Sequence, residues 1–341
     1  MKWLLTYLAS SIGKKQVMGA SGCLLVLFVL GHMVGNLQLL MPSAADAQVA
    51  YNIYSALLTK SKLFLYTIEA GLAAIFILHI YLAITLKLQN NKARGSVRYV
   101  MDARKGKKQF PTFIMIWTGL SVIAFIIWHI FTVRNGMHYY YINPDVADGK
   151  VVRDMWLTTV EILGNPLFAV FYITAMVLLG FHLWHAISSA FQTMGINHQK
   201  WTPIIDKLAI AYCVVVALGF GITAAWSCYV VNADEKAKAI IEQAKNPSYQ
   251  EALKVLSGKP LDEQKRKAKA ISMFPGKAKF IVERSELMHR DGEPSGNFKK
   301  LNKDGKKWGK DGKKKDKQRG KKKGRNRSGE EELPQAEGDE L

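Results

Sequence analysis

Four histidines, His32, His79, His129 and His182, fall one to each of four successive long apolar runs. An ionisable side chain in hydrocarbon is costly enough to require a partner and a reason. For one histidine alone, a hydrogen bond gluing two helices together is as good a reason as any. Four in four consecutive runs favour ligation. Neutral imidazole is a good ligand for iron, and two imidazoles from facing helices fill both axial positions of a haem. Iron closed on both faces in this way suits electron transfer and not the binding of oxygen.

The elements that must carry these rings are membrane helices. A helix rises 1.5 Å per residue, so about 20 apolar residues cross a hydrocarbon core. Five such runs lie before residue 232 and none after it: Val17 to Met41, Leu63 to Leu86, Thr112 to Val133, Leu167 to Phe191 and Leu208 to Val231. Met41-Pro42-Ser43 and Gly164-Asn165-Pro166 break the pattern between runs. The first run follows Lys14 and Lys15 and precedes Ala45-Asp46-Ala47, as a signal peptide would, but it is too long for a signal core and reads as a retained helix. The expected fold is all-α, with five transmembrane helices, the first four forming a haem-binding four-helix bundle. A long basic tail follows at the C-terminus.

Charge sets the expected orientation. The loop from Lys87 to Phe110 is crowded with Lys and Arg against the single acid Asp102, which marks it as cytoplasmic. The segments 42–62 and 134–162 carry little net positive charge and belong outside. The N-terminus is then cytoplasmic and the tail, by parity, external. On this orientation His32 and His129 lie toward the outer ends of the first and third helices. His79 and His182 lie toward the cytoplasmic ends of the second and fourth. The four sort into an outer pair, His32 with His129, and an inner pair, His79 with His182, about 10 to 15 Å apart in height at helical rise.

Gly31 and Gly35 flank His32, Ala83 lies a turn beyond His79, and Ala186 and Ser189 follow His182. Such small residues let a flat macrocycle or a neighbouring helix come close. His185, three residues from His182, competes with it as ligand on spacing alone and is otherwise a contact to a propionate or a quinone. Glu69, buried in the outer part of the second helix, is the candidate for proton handling at a quinone site, against the alternative of a carboxyl hydrogen-bonded to a neighbouring helix or close enough to the interface to stay wet. Cys23, Cys213 and Cys228 lie within helices, with no paired spacing, and read as apolar packing residues.

Ser10-Ser11-Ile12-Gly13-Lys14-Lys15, the stretch GHMVGNLQLL from Gly31 to Leu40, and FHLWHAISSAFQTMGI from Phe181 to Ile196 resemble the two-haem cytochrome b subunit of bacterial succinate dehydrogenase and fumarate reductase. The resemblance covers residues 1 to about 231. It implies two haem b groups held by His32, His79, His129 and His182, the last chosen over His185 by its place after Phe181. It implies a fifth helix without a ligand. Further implications are a bacterial cytoplasmic-membrane location, a membrane quinone as substrate, and flavoprotein and iron-sulfur partner subunits on the cytoplasmic face. The chain itself shows no nucleotide fingerprint, no cluster cysteines and no dicarboxylate chemistry.

The net charge of +20 is shared evenly between residues 1–231 and 232–341. Residues 232–296 form a polar extension in which AKAIIEQAK and QEALKVL suit short amphipathic helices. Residues 297–341 are a Lys- and Gly-rich run with an acidic end, which cannot bury a core and is expected to be disordered. Attraction to anionic lipid or envelope polymers suits this run better than nucleic acid, since its only aromatics are Phe298 and Trp308, and a merely solvated tail suits it better still. Two alternatives stand beside the main reading. One is a haem b anchor for another dehydrogenase, such as formate dehydrogenase or a hydrogenase. The other is a haem-free transporter or scaffold whose histidines relay protons or join helices.

Overall fold

The computed structural model describes residues 2–94 and 110–283. Among the described residues the fold is all-α apart from one two-residue strand pair. Its helices are α1 (Lys2–Ala9), α2 (Ser11–Asn36), α3 (Ala44–Thr59), α4 (Lys62–Arg94), α5 (Phe110–His129), α6 (Met155–Gly164), α7 (Pro166–Thr193), α8 (Thr202–Ala233), α9 (Glu235–Lys245), α10 (Pro247–Ser257) and α11 (Leu261–Met273). A 3-10 turn, Leu37–Leu40, extends α2, and a π-helical turn, Ile130–Arg134, extends α5. Strands β1 (Tyr140–Tyr141) and β2 (Val152–Arg153) pair antiparallel. Most of the basic loop expected to be cytoplasmic, and all of the Lys-rich run 297–341, lie outside the described residues.

Among the described residues, five stretches are long and apolar enough to cross a membrane: Ser11–Leu40, Lys62–Ala93, Ile114–Arg134, Pro166–Thr193 and Thr202–Ala233. Between 6% and 28% of each stretch's most apolar window is buried within the chain. So much exposed apolar surface has no stable place in water and is satisfied by lipid. The fifth helix starts several residues before the expected Leu208. Pro203 stands in its first turn, where the missing N–H would have no partner anyway, so the helix takes in Asp206 and Lys207. The second runs past Leu86 because Lys87 to Arg94 contains no residue that stops a helix.

Helices α2, α7 and α8 form the packed centre of the array. α7 lies along α8 over the longest contact, α2 touches both, α4 lies on α2, and α5 lies on α7. Met33, Leu183, Cys213 and Val216 fill the junction of the three central helices. The Tyr212 hydroxyl donates to the Val26 carbonyl at 2.6 Å, which gives a phenol in an apolar setting its partner.

One end of the array carries a folded cap. Leu39, Ala47, Tyr51, Trp156, Leu157, Val160, Val230, Ala237 and Ala244 join α3 and α6 to the ends of α8 and α9. A second apolar cluster, including Ile142, Val151, Leu253, Leu256, Ala268 and Ile271, seats α10 and α11 on the strand pair. Residues 235–283 therefore fold back over the segment joining α5 to α6. Helices α9 and α10 are started by Asp234 and Asn246, whose side chains accept from the backbone N–H groups two and three residues on, as good N-caps do.

A buried carboxyl ties the cap together. Asp154 is fully buried and accepts from Gln48 Nε2 at 2.6 Å, Asn52 Nδ2 at 2.9 Å and the Leu157 N–H at 3.0 Å. Asn52 returns its own oxygen to the Met155 N–H. Burial pushes the Asp154 carboxyl above the usual carboxylate range, although its three donors pull it down. A folded-state pKa raised above the unfolded value adds stability at pH below the unfolded value, and this is lost as pH rises through the folded one. Thermal unfolding in detergent should show a cap whose stability falls with rising pH. Asp154→Ala, which strands three donors and removes a helix cap, should cost about 2–4 kcal/mol.

Candidate functional site

Each candidate histidine is set by its own helix, and the structure brings the outer two together. The His32 and His129 rings have centroids 5.9 Å apart and planes 79° from parallel. Each is braced one turn earlier by a phenylalanine: Phe28 stacks on His32 and Phe125 on His129, both at 5.6 Å. Phe220 of α8 touches His32 at 5.7 Å, so the helix that carries no candidate ligand still lines the outer pair. The Tyr172 hydroxyl lies 3.4 Å from His129 Nδ1.

The inner two are held differently. His79 Nδ1 lies 3.2 Å from Ser21 Oγ of α2, and His182 Nδ1 lies 3.3 Å from Thr118 Oγ1 of α5. His182 is within electrostatic reach of both His79 and His185. Beside each hydroxyl stands a glycine, Gly22 and Gly119, at which a β-carbon would sit 3.4 Å from Cε1 of the ring it faces. On α2, Ser21 is level with His79 and precedes His32 by 11 residues; on α5, Thr118 likewise precedes His129 by 11. That interval corresponds to about 16 Å of helix axis between the two layers.

These residues fit a pair of bis-histidine haems. A metal gripped by two imidazoles, with metal–nitrogen bonds of about 2 Å, holds the ring centroids roughly 6 Å apart, which matches the outer pair. The helix pairs that carry partner histidines, α2 with α5 and α4 with α7, are not among the closely packed pairs. A flat macrocycle needs that separation. Gly31 also faces open space beside His32. Among the described residues no group of three or more His, Cys, Asp or Glu is placed to hold a bare metal ion. The rings of His32 and His129 meet as a pair.

Other expectations change. Gly35 accommodates the Tyr54 ring of α3, which occupies the space a β-carbon would need, so its small size serves the cap. Glu69 is not buried within the chain as expected. It is 41% exposed and forms an ion pair with Arg134 at 3.1 Å. Arg134 closes the π-helical turn just after His129. Arg153 satisfies the end of the same turn by donating to the carbonyls of Val133, Arg134 and Met137, as cations at helix C-termini do. His185 is half-buried on the neighbouring face of α7.

No protein-family model, curated protein or solved structure matches this chain. The site is therefore read from its own residues. Ser21, Gly22, Phe28, Thr118, Gly119, Phe125, Tyr172 and Phe220 were not picked out by the sequence reasoning, which looked for ionisable groups. A signal for six of them was present. Met18, Ser21, Gly22, Phe28 and His32 recur, at a constant spacing of 97, as Met115, Thr118, Gly119, Phe125 and His129. Helices α2 and α5 thus carry one pattern twice.

The close glycine contacts give a test that needs no cofactor. Gly119→Val would push against the His182 ring and should lower stability in detergent by about 1–3 kcal/mol, the usual cost of overpacking. Gly71→Val, at a position with nothing within 4 Å, should change it by less than about 0.5 kcal/mol.

Proposed function

We propose that this chain is the membrane cytochrome b subunit of a succinate:quinone oxidoreductase, passing electrons between an iron-sulfur partner and a membrane quinone through two haem b groups. The observation that carries the reading is the approach of the His32 and His129 rings to the separation a shared metal requires, in a chain whose first four membrane-length helices each carry a histidine. His32 and His129 would hold the outer haem, and His79 and His182 the inner one. When bound, the haems supply one-electron redox chemistry.

The chain's own part is position and environment. Helices α2, α7 and α8 fix the array, while α4 and α5 stand off from their partners across the two layers. Phe28, Phe125 and Phe220 confine the outer imidazoles. A layer spacing of about 16 Å along the helices puts the two redox centres in series across the membrane. Glu69 and Arg134, paired at the capped end, are the polar groups placed to handle a proton where a quinone headgroup would meet the outer layer. His185 is a secondary contact of the inner layer. The choice of succinate dehydrogenase or fumarate reductase over the anchor of another dehydrogenase rests on the sequence resemblance, which also supplies the flavoprotein and iron-sulfur partners on the cytoplasmic face of a bacterial inner membrane.

The optical and electron-paramagnetic spectra of the purified chain test this reading. Replacing His32 or His129 by alanine should remove the same low-spin haem component, replacing His79 or His182 should remove the other, and His185→Ala should keep both. The four single variants should each lose about half the haem. Loss of a different component from each partner of a pair would contradict the assignment. Co-purification of a flavoprotein and an iron-sulfur protein, with succinate-dependent reduction of the haems, would separate this function from the other dehydrogenase anchors.

A further inference from the structure

Two buried hydroxyls repeat the same three-way arrangement. Ser21 and Thr118 are 5% and 2% exposed. Each donates to the carbonyl three residues earlier in its helix, Met18 at 2.9 Å and Met115 at 3.0 Å, and each faces Nδ1 of a histidine on the adjacent helix. A hydroxyl has one proton. With that proton given to the carbonyl, the hydroxyl can only accept from the ring, so Nδ1 must carry hydrogen. The Met18 carbonyl lies within reach of the His79 ring and the Met115 carbonyl within reach of the His182 ring. A carbonyl only accepts, which requires the same tautomer. A neutral imidazole protonated at Nδ1 has its lone pair at Nε2.

We propose that Ser21 and Thr118 are positioning residues for the inner pair, each hydroxyl holding the Nδ1–H of the opposite histidine so that Nε2 of His79 and of His182 is left free and aimed at one metal. The assignment rests on the haem reading above and deepens it. Gly22 and Gly119 adjoin the two hydroxyls, and a β-carbon at either would be in van der Waals contact with Cε1 of the ring. The outer pair is built on other lines, with the phenol of Tyr172 3.4 Å from the His129 ring. A metal-bound imidazole whose far N–H is accepted by a partner is the more basic ligand. The hydroxyls therefore favour the ferric state and lower the potential of the inner haem.

Potentiometric titration of the full chain, followed optically and by the low-spin ferric resonances, tests this. Thr118→Val keeps the shape and loses only the hydroxyl; it should shift the inner potential positive, alter the inner resonances and leave the outer component in place. Ser21→Ala should act in the same direction. Ser21→Thr and Thr118→Ser, which exchange the two hydroxyls, should titrate as the unmodified chain. Full haem content with unchanged inner potential and resonances in Thr118→Val and Ser21→Ala would overturn the assignment while leaving the haem reading intact. An unmodified chain that binds no haem would overturn both.

Discussion

An imidazole placed inside a membrane has two nitrogens to satisfy, and this requirement organises the array. Unpaired polar atoms in hydrocarbon are expensive, so each ring needs a partner on one side and a purpose on the other. For His79 and His182 the partner is a hydroxyl one helix away, itself anchored to a backbone carbonyl. That leaves one edge of each ring directed away from its own support. For His32 and His129 the support is aromatic, a phenylalanine one turn earlier on each helix, and the rings meet across a gap the width of a shared metal.

The remaining packing follows from keeping those gaps open. α2, α7 and α8 are joined by continuous contact and by the Tyr212 bond to the Val26 carbonyl, which gives the array a rigid centre. α4 and α5 attach to opposite sides of that centre, on α2 and α7 respectively. Neither packs closely against the helix that carries the partner of its histidine. At the capped end, Asp154 binds α3 and α6 together, and Arg153 takes up the carbonyls freed where α5 ends in a π-helical turn. π-Helical turns are frequent at functional sites, and here the turn begins at the residue after His129.

Much of this was legible in the amino-acid order. Length and hydropathy give five membrane-crossing helices and the all-α class directly, because the bilayer imposes one length on every span. Depth counting paired His32 with His129, and the structure sets those two rings side by side. Three things were less legible. The environment of Glu69 depends on which flank of α4 is covered, which a single helix pattern does not encode, and its partner Arg134 lies 65 positions away. The role of Gly35 depends on Tyr54, brought in by a helix that is too short to stand out in hydropathy. Ser21 and Thr118 were passed over because a serine or threonine in a membrane helix ordinarily bonds its own backbone. Their second bond becomes visible only with the neighbouring helix in place, although the repeat linking α2 to α5 was there to be read. For the segment after Ala233, amphipathic pattern gave the helices but not their docking on the strand pair.

The central claim is that the four histidines form two metal-binding pairs, and the most direct test is the count and ligation of haem in the purified chain. Haemochrome analysis together with near-infrared magnetic circular dichroism reports both. The proposed function predicts two haem b per chain, each with the charge-transfer band of bis-imidazole ligation. A chain that holds no haem, or one whose haem has another axial ligand set, would contradict it.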